Sequence, residues 1–492
     1  MNTDKFKNFV RRTVPPIATP CEYVFAIFSV HLRSSAVALG LVVGACAVGP
    51  NYTKPDAPVP QKYKEAGDWV VAKPSDAAPK GKWWEAFRDP VLNGLVEQVS
   101  ISNQTVAASE ARYRQAVAET RAAQATLFPT LGADVNATRS GQGSAASATG
   151  TAVTGNRFTA QVEARWEVDL WGAIRRQVEA AKAGQEASAA DLENARLSMQ
   201  AQLVTNYYAL RVADMQVSLI EDTVEAFQTS LKVTQNRYAG GVAAKVDVVQ
   251  AQAQLLSTQA SLVDLRATRA SLEHSIAVLM GKAPAEVTIA PAKFEVHIPD
   301  VPPGIPSTLL ERRPDIATAE RNMAAANARI GVAQAAYFPA LNLSGSFGTA
   351  SSAARNLLKA PYRVWSLGAD LADTLIDFGA RSAQVELARA QYDEQVANYR
   401  QAVLGGIQEV EDNLANVHWL TEETKVEQEA VRAARESVVL TVNQYKAGTV
   451  SYLNVVTVQA TLLNEQAKLV GLLGRKLSAT VVLMRALGGT WE

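Results

Sequence analysis

The chain repeats itself, and nothing else in the sequence constrains its fold as much. The segment NRYAGGVAAKVDVVQAQAQLLSTQASL from Asn236 matches NQYKAGTVSYLNVVTVQATLLNEQAKL from Asn443 at a constant offset of 207 residues. Tyr238 falls on Tyr445, Gly241 on Gly448, Val248 and Val249 on Val455 and Val456, Gln252 on Gln459, and Gln259 on Gln466. Upstream, AAQATLFPTL from Ala122 matches VAQAAYFPAL from Val332, which sets Phe128 and Pro129 on Phe338 and Pro339 at an offset of 210. Trp171 and Gly172 then fall on Phe378 and Gly379 at 207, so the stretch between these landmarks differs by three residues between the copies. A duplicated chain folds as two similar halves, and a structural reading of one copy must serve for the other. The copies are expected over residues 91–297 and 298–492.

Within a copy the periodicity changes in a fixed order. Asn93 to Thr126 is rich in alanine, carries no proline, and spaces its small apolar residues as one helix that Pro129 stops. LGADVNATR and RFTAQVEARWEVDL in the first copy, and LNLSGSFG and VWSLGADLADTL in the second, alternate apolar with polar residues as strands do. Each copy therefore offers one hairpin, its connection rich in Gly, Ser, Ala and Thr. From Ala173 to Tyr238 and from Ala380 to Tyr445 there is no proline, and apolar positions recur in a heptad-like pattern among Glu, Arg, Gln and Asn. Roughly 65 residues at about 1.5 Å each make a helix on the order of 100 Å long. Gly240-Gly241 and Gly448 supply turns, and a returning helix runs to about Met280 or Leu487. The expected class is mainly α, internally duplicated, with long antiparallel helices and a β-barrel portion.

Four alternating strands cannot close on themselves, because the smaller membrane barrels have about eight. Open edges in lipid leave backbone groups unpaired at several kcal/mol each. The sheet must be shared between copies of the chain; three copies give twelve strands and a closed helical tube, but the strand pattern does not itself choose three copies over two.

The N-terminus carries its own address. The apolar run from Ala36 to Ala45, led by Arg33, is too short to span a bilayer, which needs about 20 residues, and reads as a signal peptide over residues 1–45. Val43, Gly44 and Ala45 before Cys46 resemble a bacterial lipobox, which makes Cys46 the lipid-bearing first residue of the mature chain. With Cys21 removed in the leader, Cys46 stands alone and no internal disulfide forms. Acyl chains there contribute about 0.8 kcal/mol per buried methylene. Residues 46–90 begin as a tether extended by Pro50, Pro55, Pro58 and Pro60, with Trp69, Trp83, Trp84 and Phe87 as candidates to dock it.

Lys+Arg and Asp+Glu balance at 48 each with no basic block, which argues against a nucleic-acid partner. His31, His274, His297 and His418 show neither metal-ligand spacing nor a nucleophile beside them, so no metal, cofactor or catalytic residue is expected beyond the lipid on Cys46. A secreted coiled-coil spacer fits the long helices but leaves the hairpins and the lipobox without a purpose.

LVVGAC followed by GPNYTKPDAPVP, the two FP motifs before strands, ERRPDIATAE, IQEVEDNL and the paired Tyr-x-x-Gly turns together resemble the outer membrane factor (TolC-like) family. The likeness is to its NodT-type lipoprotein branch, which serves resistance-nodulation-division (RND) pumps. That resemblance implies a homotrimer: a β-barrel in the outer membrane, a helical tube crossing the periplasm, and an inner-membrane RND-type pump reached through a periplasmic adaptor protein. It implies that Gly240, Gly241 and Gly448 form the tips that meet the adaptor, and that an Asp247 to Tyr445 link holds the aperture. Val450 stands where the family can carry a linking arginine, and Asn454 and Thr457 where it can carry pore carboxylates, so closure here is expected to use other contacts. The remaining alternative within the conduit class is a duct for protein secretion driven by an ABC system.

Overall fold

The computed structural model describes residues 47–60, 62–66, 81–143, 151–292, 297–299, 301 and 312–489. The leader, Cys46 and Trp69 lie outside the described residues. In chain order the main elements are α1 (Pro90–Ser102), α2 (Gln104–Ala125), β1 (Thr130–Gln142), β2 (Val153–Val168), α3 (Ala173–Ala239) and α4 (Lys245–Leu279). The second copy supplies α5 (Pro314–Ala335), β3 (Ala340–Ser351), β4 (Arg363–Ala372), α6 (Ala380–Lys446) and α7 (Tyr452–Ala486). The duplication is kept residue for residue in the helices: α3 and α6 have 67 residues each, α4 and α7 have 35, and α2 and α5 have 22.

The long helices match the expected spans, but the expected single helix over Asn93 to Thr126 is two. Asn103 breaks it with extended backbone, φ −64° and ψ 125°. Its side chain takes over the lost hydrogen bonding: Oδ1 accepts the N–H groups of Thr105 and Val106, and Nδ2 donates to the Leu279 carbonyl at 2.7 Å. Asparagine is favoured at a helix start because its short amide caps the free N–H groups there. The break is thus set by a long-range partner that local spacing does not reveal. Asp89 caps α1 in the same way, accepting from Val91 and Leu92 and from the Tyr207 hydroxyl at 2.7 Å.

Contacts divide the chain into two units, each drawing on both copies. One comprises Thr126–Arg176 and Gly331–Arg381 with Ala47 to Gly49, and holds the sheet; the other comprises Pro50–Ala125, Gln177–Ile330 and Ser382–Glu492. The sheet is antiparallel in the order β1-β2-β3-β4, which leaves β1 and β4 as edges. Its hairpins share one register: Thr130 pairs with Arg165, and their counterparts Ala340 and Ala372 also pair.

The helical unit has a dense aromatic and aliphatic core in which Tyr207, Tyr208, Tyr399, Leu203, Ile316, Leu414 and Val481 are buried. Tyr63, Trp83, Trp84 and Phe87 belong to the same core, so the segment after the tether is docked as the aromatics led one to expect. Glu411 holds it further, accepting the backbone N–H groups of Lys64 at 2.6 Å and Glu65 at 2.9 Å.

Candidate conduit surface and helix tips

The sheet has two unlike faces. Alternation places Leu131, Ala133 and Val135 on one face of β1, and the register sets them opposite Ala164, Val162 and Ala160 of β2. Leu343 and Phe347 of β3 lie beside Trp166 and Val162, and Ala369 and Trp365 of β4 continue the row. The opposite face carries Asp134, Gln161, Glu163, Ser344, Ser346 and Ser366 at paired positions. A one-residue slip anywhere would mix the faces, so the apolar pattern and the register specify each other. The apolar face has no cover: Val135 is 80% exposed, Trp365 72% and Leu367 81%. No described helix is long and apolar enough to cross a membrane, whereas this face alternates as a lipid-facing sheet does.

At the far end of the long helices, two turns are built alike. Gly241 N–H donates to the Tyr238 carbonyl and Val242 N–H to the Arg237 carbonyl, while Gly448 and Thr449 repeat this on Tyr445 and Gln444. That is a Schellman motif, and it needs left-handed backbone at the glycine, met by φ of 75° at Gly241 and 79° at Gly448. Gly240, by contrast, keeps ordinary backbone and has Ala447 as its counterpart. Gly240, Gly241 and Gly448 are all exposed.

Below the turns, the two copies have diverged. Tyr238 is half exposed, but its counterpart Tyr445 is buried in a cluster with Ala251, Tyr452 and Val455. Tyr445 and Tyr452 meet edge to face at 5.3 Å, and the Tyr452 hydroxyl bonds to Ser230 at 3.0 Å. Burial pushes the Tyr452 hydroxyl above its ordinary pKa; the Ser230 hydrogen bond opposes this, and the negative charge of Asp247 adds to it. Asp247, half-buried, does not bond to Tyr445, whose hydroxyl is buried without a hydrogen-bond partner. Val450 packs on this cluster, while Asn454 and Thr457 are exposed.

Arg237 joins the two copies here, a residue the sequence reading passed over. Its guanidinium lies 4.7 Å from the Tyr445 ring centroid, and Nη1 donates to the Lys446 carbonyl at 3.2 Å. A cation over an aromatic face contributes about 0.5 to 2 kcal/mol, and a cation at a helix C-terminus meets the negative end of the helix dipole. The signal was present as an asymmetry between copies, since the counterpart of Arg237 is Gln444.

The motifs ERRPDIATAE and IQEVEDNL, far apart in sequence, meet in the helical unit. Arg313 forks onto Asp315, reaches Glu409 at 2.8 Å and donates to the Ala486 carbonyl at 3.1 Å, while Arg485 also holds Glu409. Burial works against the Arg313 charge, yet Asp315 and Glu409 outweigh it and raise its pKa above the ordinary arginine value. The cluster ties the starts of α5 and the end of α7 to the middle of α6. Among the described residues no group of His, Cys, Asp and Glu could hold a metal ion.

Comparison with known proteins adds to this geometry. The profile of a family described as "Outer membrane efflux protein" matches residues 95–282 and 305–489, more than half of the chain. The pyoverdine export outer membrane protein OpmQ of Pseudomonas aeruginosa is 29% identical over 464 residues, covering 93% of this chain and 97% of its own length. Nodulation protein T of Rhizobium leguminosarum bv. trifolii is 30% identical over 433 residues, 87% of this chain and 91% of its own. The solved outer-membrane channel OprN superposes with a TM-score of 0.83 at 30% identity, covering 91% of this chain and all of that one.

Proposed function

This chain belongs to the outer membrane efflux protein family, and from that premise we propose that it is the exit duct of a tripartite efflux pump, a lipid-anchored homotrimer that conducts small molecules passively and is gated at its helix tips. The observation that carries the reading is the sheet: one face apolar and bare, the other polar, and both edges unpaired. Unpaired edges cannot remain in lipid. Three copies close a twelve-stranded barrel whose apolar face meets the bilayer and whose polar face lines water. Cys46 carries the acyl chains, the tube extends into the periplasm, and there is neither catalysis nor a cofactor.

On this reading the exposed turns at Gly240, Gly241 and Gly448 meet a periplasmic adaptor, which links the duct to an inner-membrane RND-type pump. The aperture is held by the Tyr445–Tyr452 cluster with Asp247 at its margin. Arg237, stacked on Tyr445 and bonded to the end of α6, takes the closing part that an arginine at position 450 would otherwise play.

The test is single-channel conductance and oligomer mass of the detergent-purified mature protein, with the mass of the Cys46 peptide measured on the same sample. A trimer with a small, mostly closed conductance and an acylated N-terminus is expected. A water-soluble monomer without conductance would overturn the duct.

A further inference from the structure

The junction between the two copies inside one chain is a template for the junction between chains. At the internal junction β2 pairs with β3, Trp171 stacks on Phe338 at 4.8 Å, and Trp171 Nε1 donates to the Pro339 carbonyl at 2.9 Å. The counterparts of these residues are Phe378, Phe128 and Pro129, and all three are exposed in the single chain. Phe378 is fully exposed and Phe128 is 67% exposed, at opposite edges of the sheet. Phe378 also sits at φ 49°, a left-handed conformation that bulky residues rarely adopt. Its counterpart Trp171 has no positive φ. β4 stops at Ala372, three residues short of Leu375, the counterpart of Val168 at the end of β2. Leu375 is 88% exposed.

Resting on the trimer reading above, we infer that β4 of one protomer pairs with β1 of the next in the register of β2 on β3, locked by Phe378 stacked on the partner's Phe128. The register follows from the two offsets. Val162 pairs with Phe347; their counterparts are Ala369, at 207, and Ala137, at 210. Ala369 therefore faces Ala137 of the partner subunit, and Val168 on Leu341 becomes Leu375 on Leu131 of the partner subunit. On the apolar face this register sets Ala369, Leu371 and Leu375 on Ala137, Val135 and Leu131 of the partner subunit, with Arg139 of the partner subunit opposite Leu367 and Asp373 opposite Ala133 of the partner subunit as its two charged interruptions, and the same two offsets reproduce the hairpin registers. Pairing also extends β4 to Leu375 and gives Phe378 a surface. The occupant of each edge is thus a second copy of this chain, with one difference: phenylalanine cannot donate the hydrogen bond that Trp171 makes.

Paired strands hold opposite Cα atoms about 4.5 to 5.5 Å apart, within disulfide reach, and residues two positions along the strand are not. In the full-length mature protein, Ala137→Cys with Ala369→Cys is expected to give covalently linked dimers and trimers on oxidation that survive boiling in detergent. Ala137→Cys with Leu367→Cys or with Leu371→Cys is expected to remain unlinked, as are the single variants. A non-covalent trimer that links only through a shifted pair would overturn the register and leave the duct standing, whereas a chain that remains monomeric would overturn both. The lock has its own readout: Phe378→Trp should slow subunit dissociation by roughly fivefold per seam, the effect of one added hydrogen bond. Phe378→Ala should speed it, and a trimer indifferent to both substitutions would remove the lock.

Discussion

The two ends of the helix hairpins use the same turn for opposite ends. At the bare tips Gly241 and Gly448 close Schellman motifs, and at the other end Gly281 and Gly488 close identical ones, with φ of 68° and 85°. A Cβ on Gly281 would lie 2.0 Å from the Ser102 carbonyl oxygen, and one on Gly488 would lie 2.8 Å from that of Arg312. A Cβ on Gly241 or Gly448 would meet nothing within 4 Å. At one end glycine is demanded by conformation and packing together, and at the other by conformation alone. The tips hold their backbone shape without being packed, which leaves their surface free for another molecule.

Substitutions can break or sharpen this contrast. Gly281→Ala should cost about 3 to 4 kcal/mol, from left-handed strain plus displaced backbone, read as a lost or sharply lowered unfolding transition in detergent. Arg313→Met at the same end leaves Asp315 and Glu409 without their shared partner and should cost about 3 kcal/mol; an unchanged midpoint would show that the cluster does not hold that end. Gly241→Ala and Gly448→Ala should each cost only about 1 kcal/mol, and a large difference between them would end the equivalence of the two tips. Arg237→Gln should change stability by less than about 1 kcal/mol but raise the open fraction in planar bilayers, while Gly240→Ala should do neither. If Arg237→Gln leaves conductance as it was, the tie between the copies is not part of the gate.

Much of the architecture is legible in the sequence because its determinants are local. Absence of proline marks the 67-residue helices, glycine marks where they turn, and alternation marks the strands. What is not legible depends on partners distant in sequence. Asn103 reads as one more polar residue in a helix until Leu279 appears opposite it. Arg313 and Glu409 lie in two family motifs, yet only the fold brings them together. At the tips, spacing locates Gly241, Gly448 and Tyr445; the Arg237–Gln444 asymmetry between copies marks Arg237 as different, but only the fold shows that it covers the Tyr445 ring. Nor could spacing show that Tyr445 is buried while Tyr238, at the same place in the repeat, is half exposed.

The equal lengths of the paired helices carry a consequence for how such a chain can vary. Both long helices have 67 residues and both returning helices 35, so the three-residue difference between copies falls outside them. One added residue turns everything beyond it by about 100° and advances it by about 1.5 Å, which in one copy alone would swing Tyr445 out of phase with Arg237 and Tyr452 out of phase with Ser230. The helices act as a gauge held in duplicate: reach can be altered only in both copies at once, and in steps close to whole numbers of turns.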